Sequence, residues 1–67
     1  MKEFEIRVLR QDGTTEAVIG IAKLDNYSAA RAGRRFANGA PFEIWHEGKC
    51  IYAATAPQRT ILKRLGD

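Results

Sequence analysis

The chain has a single cysteine, two prolines, one tryptophan and no long apolar run. Each scarcity closes off a class of protein. One thiol cannot form an intramolecular disulfide or supply a multi-cysteine zinc site. A membrane span needs roughly 20 mostly apolar residues, so no membrane partner is expected. The opening MKEFEIRV alternates from its first residues and lacks the apolar block of a signal peptide, which makes a cytoplasmic location the default reading. Acid is scarce too, but only locally. Asn26 to Pro41 holds Arg31, Arg34 and Arg35 and no carboxylate, whereas the net charge of the whole chain is only +3. The positive charge is therefore segregated, into this stretch and into the tail that carries Arg59, Lys63 and Arg64.

What is present is mostly alternation. In EFEIRVLRQDGTTEAVIGIAKL, Asp12-Gly13 predicts a two-residue hairpin turn, because Asp-Gly tolerates the positive φ such turns require. Opposing residues then pair Phe4 with Ile21, Ile6 with Ile19 and Val8 with Ala17, all apolar and all on one face. Leu9 and Val18 fall on the other. From Asp25 the period changes to that of a helix, with Asp25 or Asn26 as cap and an alanine-rich stripe of Ala29, Ala30, Ala32, Gly33, Phe36 and Ala37. Phe36 is expected to anchor that stripe in the core. Gly39 and Pro41 predict where the helix stops.

A second hairpin follows in FEIWHEGKCIYAAT, with Glu47-Gly48 as its turn. This register sets Ile44 opposite Ile51 and places Trp45 and Tyr52 together on the face turned away from the helix. The expected fold is α+β, with order ββαββ: a four-stranded antiparallel sheet with one helix on one face. Residues 1–55 form one domain in this reading. Residues 56–67 are a tail or a short helix capped by Thr55, with Pro57 in its first turn and Ile61, Leu62 and Leu65 as a stripe.

The residues offer little for catalysis. His46 and Cys50 are the only pair suited to nucleophilic chemistry, and the alternation sends them to opposite faces. No His, Cys or carboxylate spacing matches a metal site, and the glycines stand singly rather than in a phosphate-cradling loop. No enzyme activity, cofactor or metal is therefore expected. Two surfaces remain. Leu9, Val18, Trp45 and Tyr52 form a candidate protein interface, because two large aromatics on a second sheet face need a cover. That cover is the C-terminal segment, a second copy in a homodimer, or another protein. Arg31, Arg34 and Arg35 form the alternative, a candidate nucleic-acid contact, since arginines three and four apart on a helix present their guanidinium groups together.

With these elements placed, the closing run Glu43-Ile44-Trp45, His46-Glu47-Gly48, Lys49 and Ile51 resembles that of a group of small uncharacterised bacterial proteins. These share a hairpin, an alanine- and arginine-rich helix and a Glu-aliphatic-Trp strand. The resemblance implies the ββαββ order and carries no activity with it. The function expected from the sequence is a non-enzymatic, self-associating or protein-binding module, with nucleic-acid binding through the arginines as the alternative.

Overall fold

The computed structural model describes residues 1–55. Four strands and one helix follow in the order β1 (Lys2–Leu9), β2 (Thr15–Lys23), α1 (Asn26–Ala37), β3 (Phe42–His46) and β4 (Lys49–Ala54). The strands form one antiparallel sheet in the order β2-β1-β3-β4, so the fold is α+β as the sequence pattern indicates. The C-terminal helix expected around Ile61, Leu62 and Leu65 lies outside the described residues.

This strand order explains which apolar residues reach the core. β1 and β3 are central and pair Ile6 with Ile44 and Val8 with Phe42. Phe4, Ile6, Val8, Phe42 and Ile44 are buried beneath Ala29 and Ala37 of α1. Ile19, Ile21 and Ile51 belong to edge strands and are only partly covered. Alternation puts all eight side chains on one face, but position in the sheet decides how deeply each is buried.

The first hairpin keeps the expected pairs Phe4–Ile21, Ile6–Ile19 and Val8–Ala17 but reaches them by another route. The loop has three residues, not two. Arg10 N–H donates to the Thr14 carbonyl (2.7 Å), Gly13 N–H donates to the Arg10 carbonyl (2.9 Å), and only Gly13 has positive φ (92°). The Asp12 carboxylate accepts hydrogen bonds from the Thr14 N–H (2.9 Å) and hydroxyl (2.7 Å), a local turn of its own. A three-residue loop with its last residue left-handed is the next commonest hairpin connection. The one-residue offset that it introduces is absorbed by a bulge, where Leu9 pairs with Thr15 while Val8 pairs with Ala17.

The second hairpin has the expected two-residue turn, with positive φ at both Glu47 (50°) and Gly48 (80°). Trp45 pairs with Cys50, and His46 with Lys49. Beyond them the register slips. Ile44 pairs with Tyr52 rather than with Ile51, because Ile51 is the extra residue of a bulge. In a regular strand Ile51 and Tyr52 would point to opposite faces. Here Ile51 packs against the core cluster and the Tyr52 ring lies 5.8 Å from that of Phe42. Tyr52 is therefore on the helix side, and the expected Trp45–Tyr52 surface does not form.

Helix α1 starts where Asp25 accepts a hydrogen bond from the Ser28 N–H (2.8 Å), and it ends at Asn38 in the left-handed region, one residue before Gly39 (φ 96°). Its buried positions are Ala29, Gly33 and Ala37, spaced by four. Gly33 is there because nothing larger fits. A Cβ on it would lie 2.6 Å from Phe42 Cε2 and 2.7 Å from Ile44 Cδ1. Phe36, one residue before Ala37 and so about 100° round the helix, sits at the flank of the stripe and is 54% exposed. The expected anchor of the stripe is thus a surface residue.

Two outcomes follow from this packing. Gly33→Val should destabilise the fold by about 1–3 kcal/mol, the usual cost of overpacking, and Gly33→Ala by less, because alanine recovers up to about 1 kcal/mol of helix propensity. Urea midpoints with an unchanged slope measure both, and a Gly33→Ala protein more stable than wild type would contradict the close contact. The second concerns acid. Hydrogen bonding from the Ser28 backbone holds the Asp25 carboxyl below its ordinary value of 3.8. A lowered folded-state pKa favours folding above the unfolded value, and that contribution disappears as pH falls through the folded value. Asp25→Asn keeps a capping oxygen that does not titrate. The stability of wild type relative to Asp25→Asn should therefore decline as pH falls from neutral through the ordinary carboxyl value of 3.8 and below it, and a pH-independent difference would rule the linkage out.

Candidate functional site

The three arginines of α1 do not act as one patch. Arg34 leans towards β4, where its Nη2 donates to the Tyr52 hydroxyl (3.2 Å). Arg31 and Arg35, one helical turn apart, lean towards β2. With Lys23 from the end of β2 they line a groove of about 520 Å³, completed by Ser28, Ala32 and Phe36. Among the described residues no carboxylate lines it, Asp25 being turned to the Ser28 N–H at the helix start. Three cations around a concave surface that also exposes an aromatic ring form an anion-attracting site. Tyr27 is 70% exposed on the outer side of the helix, and the Arg31 guanidinium sits 5.8 Å over its ring.

Local sequence explains the arrangement. Residues four apart share a helix face, which groups Arg31 with Arg35. Arg34 lies on the other side of the helix crest, and the bulge at Ile51 brings Tyr52 to meet it. Lys23 and Phe36 were not among the sequence candidates. Lys23 belongs to a strand, so helical spacing does not group it with the arginines, and Phe36 looks like a core residue until the helix is rotated into place.

The opposite face of the sheet is organised differently. The Arg7 guanidinium lies 3.9 Å from the centre of the Trp45 ring, and its Nε donates to Glu5 (2.6 Å). Trp45 Nε1–H donates to Glu43 (2.8 Å). The half-buried indole is thus held by two charged side chains, Arg7 and Glu43, the first of them paired with Glu5. Beside it, Glu3, Glu5, Arg7, Val18, Gly20 and Trp45 border a depression of about 320 Å³. Val18 is 57% exposed there, whereas Leu9 is half-buried. Of the four residues expected to form a protein interface, Val18 and Trp45 share this depression and Tyr52 has left the face. The C-terminal segment expected to cover Trp45 is outside the described residues.

His46 and Cys50 do not meet. The His46 ring packs 4.9 Å from that of Phe4, with Nδ1 2.9 Å from the Glu3 carbonyl oxygen. The exposed Cys50 thiol points to the Tyr52 carbonyl at 3.5 Å. Among the described residues no group of three or more His, Cys, Asp or Glu side chains is placed to hold a metal ion. No helix among them is long and apolar enough to cross a membrane. No known protein family, no curated protein and no solved structure matches the chain.

The separation of Tyr52 from Trp45 has a direct test, since the chain has one tryptophan. Arg7→Ala should shift Trp45 emission to the red and cost about 0.5–1 kcal/mol, the worth of an exposed cation–π contact. Tyr52→Ala should leave the emission maximum in place, because that ring is on the other side of the sheet. Equal shifts in the two variants would restore the shared aromatic face.

Proposed function

We propose that this protein is a non-enzymatic binding module whose ligand is nucleic acid, held through its phosphates in the groove of Lys23, Arg31 and Arg35. The observation that carries the reading is the convergence of these three cations, from the end of β2 and from α1, on one concavity with no carboxylate among its described lining residues. Guanidinium groups offer paired donors that match phosphate oxygens, and a lysine adds a point charge on the opposite wall. The charge of the chain favours the same side. The open sheet face has Glu3, Glu5 and Glu47 around Arg7, so a polyanion is steered to the helix side and repelled from the other.

A second reading is favoured by one observation of its own. Val18 of β2 and Trp45 of β3 border the same depression on the open face, across β1 from one another, which suits self-association or a protein partner anchored on the indole. The Arg7 and Glu43 contacts already engage that indole, and Tyr52 contributes nothing there. This reading therefore ranks below the first. A wild-type solution mass of two chains that Trp45→Glu reduces to one would raise it.

The nucleic-acid reading is tested by titrating an oligonucleotide across a range of salt. Wild type should bind at about 50 mM salt, with affinity falling steeply as salt rises. Replacing Lys23, Arg31 and Arg35 together by Gln should abolish binding, and each single replacement should reduce the log–log salt slope by about 0.7–0.9. Arg34→Gln, on the other side of the helix, should change it far less. No binding by wild type at low salt would refute the proposal.

A further inference from the structure

Phosphate contacts alone do not distinguish a duplex from a single strand, but the groove holds one group that phosphate does not need. The ring of Phe36 is in its wall, 54% exposed between cations from the helix and from β2. Burial in the core does not account for it, because the close approach at Gly33 fills the centre of the stripe with Phe42 and Ile44. Nor is it engaged by another ring, since the ring contacts of the described residues are Phe4–His46 and Phe42–Tyr52. A large apolar ring in a basic concavity matches the composition of sites that grip unpaired nucleotides. There, aromatic faces stack on bases while cations track the backbone.

Size points the same way. An open groove of about 520 Å³ is comparable in volume to small-ligand sites, which suits a splayed nucleotide with its phosphate. A duplex keeps its bases stacked inside and could offer the groove only its backbone. We infer that the groove binds single-stranded in preference to duplex nucleic acid, with Phe36 stacking on an unpaired base while Lys23, Arg31 and Arg35 hold the adjoining phosphates. This rests on the nucleic-acid reading above and adds the strandedness of the ligand and the role of the ring.

The test uses the full chain, with a labelled single strand of mixed sequence and the same strand annealed to its complement, both at about 50 mM salt. Wild type should bind the single strand at least several-fold more tightly. Phe36→Leu keeps an apolar side chain but removes the π face. It should weaken single-strand binding roughly tenfold, within the range found for one base–aromatic stack, and leave the weaker duplex binding unchanged. Phe36→Trp should restore single-strand affinity, which a purely structural role for Phe36 would not require. Equal affinity of wild type for the two forms, or a Phe36→Leu protein that binds the single strand like wild type, overturns the inference and leaves phosphate binding standing. Absence of binding to either form removes the phosphate reading and this inference together.

Discussion

The contact between α1 and β3 at Gly33 is the constraint on which the rest of the structure depends. With no Cβ at that position, the side chains of Phe42 and Ile44 reach the helix backbone closely enough that an added methyl would overlap both. The helix is set close against the central strands, in register with the Ala29, Gly33 and Ala37 stripe. Its rotation follows from that stripe, and the rotation assigns every other side chain. Arg31 and Arg35 overhang β2, Arg34 reaches towards β4, and Phe36 is turned out of the core. One glycine thus links core packing to the composition of the surface groove.

Two bulges distribute side chains between the faces of the sheet. The first lies beside Leu9 and Thr15 and is a correction for loop length; it leaves the long apolar pairing of β1 with β2 intact. The second, at Ile51, has larger consequences. It lets Ile51 and Tyr52 both face the helix, adding an aromatic ring beside Phe42 and a hydroxyl acceptor for Arg34. The open face loses an aromatic and retains Trp45 in a polar setting, bracketed by Arg7 and Glu43. Among the described residues the helix lies on one face of the sheet, and on the other the Arg7–Glu5 ion pair and the indole hydrogen bond surround Trp45 with polar groups.

The charge distribution and this asymmetry reinforce one another. Carboxylates cluster with Arg7 on the open face, while the groove between α1 and β2 gathers cations with no acid among its described lining residues. Electrostatic fields from such a separation orient a charged partner before contact. The basic groove is also where the fold leaves an aromatic ring exposed. Function, in the reading developed above, arises from a helix packed so tightly that its flanking residues have nowhere to go but outward.

Local chemistry was legible in the chain wherever near neighbours decide the outcome. The ββαββ order, the Asp25 cap, the Glu47-Gly48 turn and the pairing of Ile6 with Ile19 all depend on residues a few positions apart or on a hairpin register that alternation specifies. The segregation of arginines and the small-residue stripe could be read in the same way. Strand order, and with it the depth at which Ile19, Ile21 and Ile51 are buried, depends on which strands share an edge, which no local pattern encodes. The three-residue loop at Gln11 to Gly13 was hidden because Asp-Gly serves two kinds of turn, and the side-chain bonds of Asp12 to Thr14 decide between them. The bulge at Ile51 was hidden because its gain lies in tertiary contacts with Phe42 and Arg34, not in β4 itself. Lys23 and Phe36 joined the arginines only once the helix lay on the sheet, since the rotation of a helix about its axis is set by what packs beneath it.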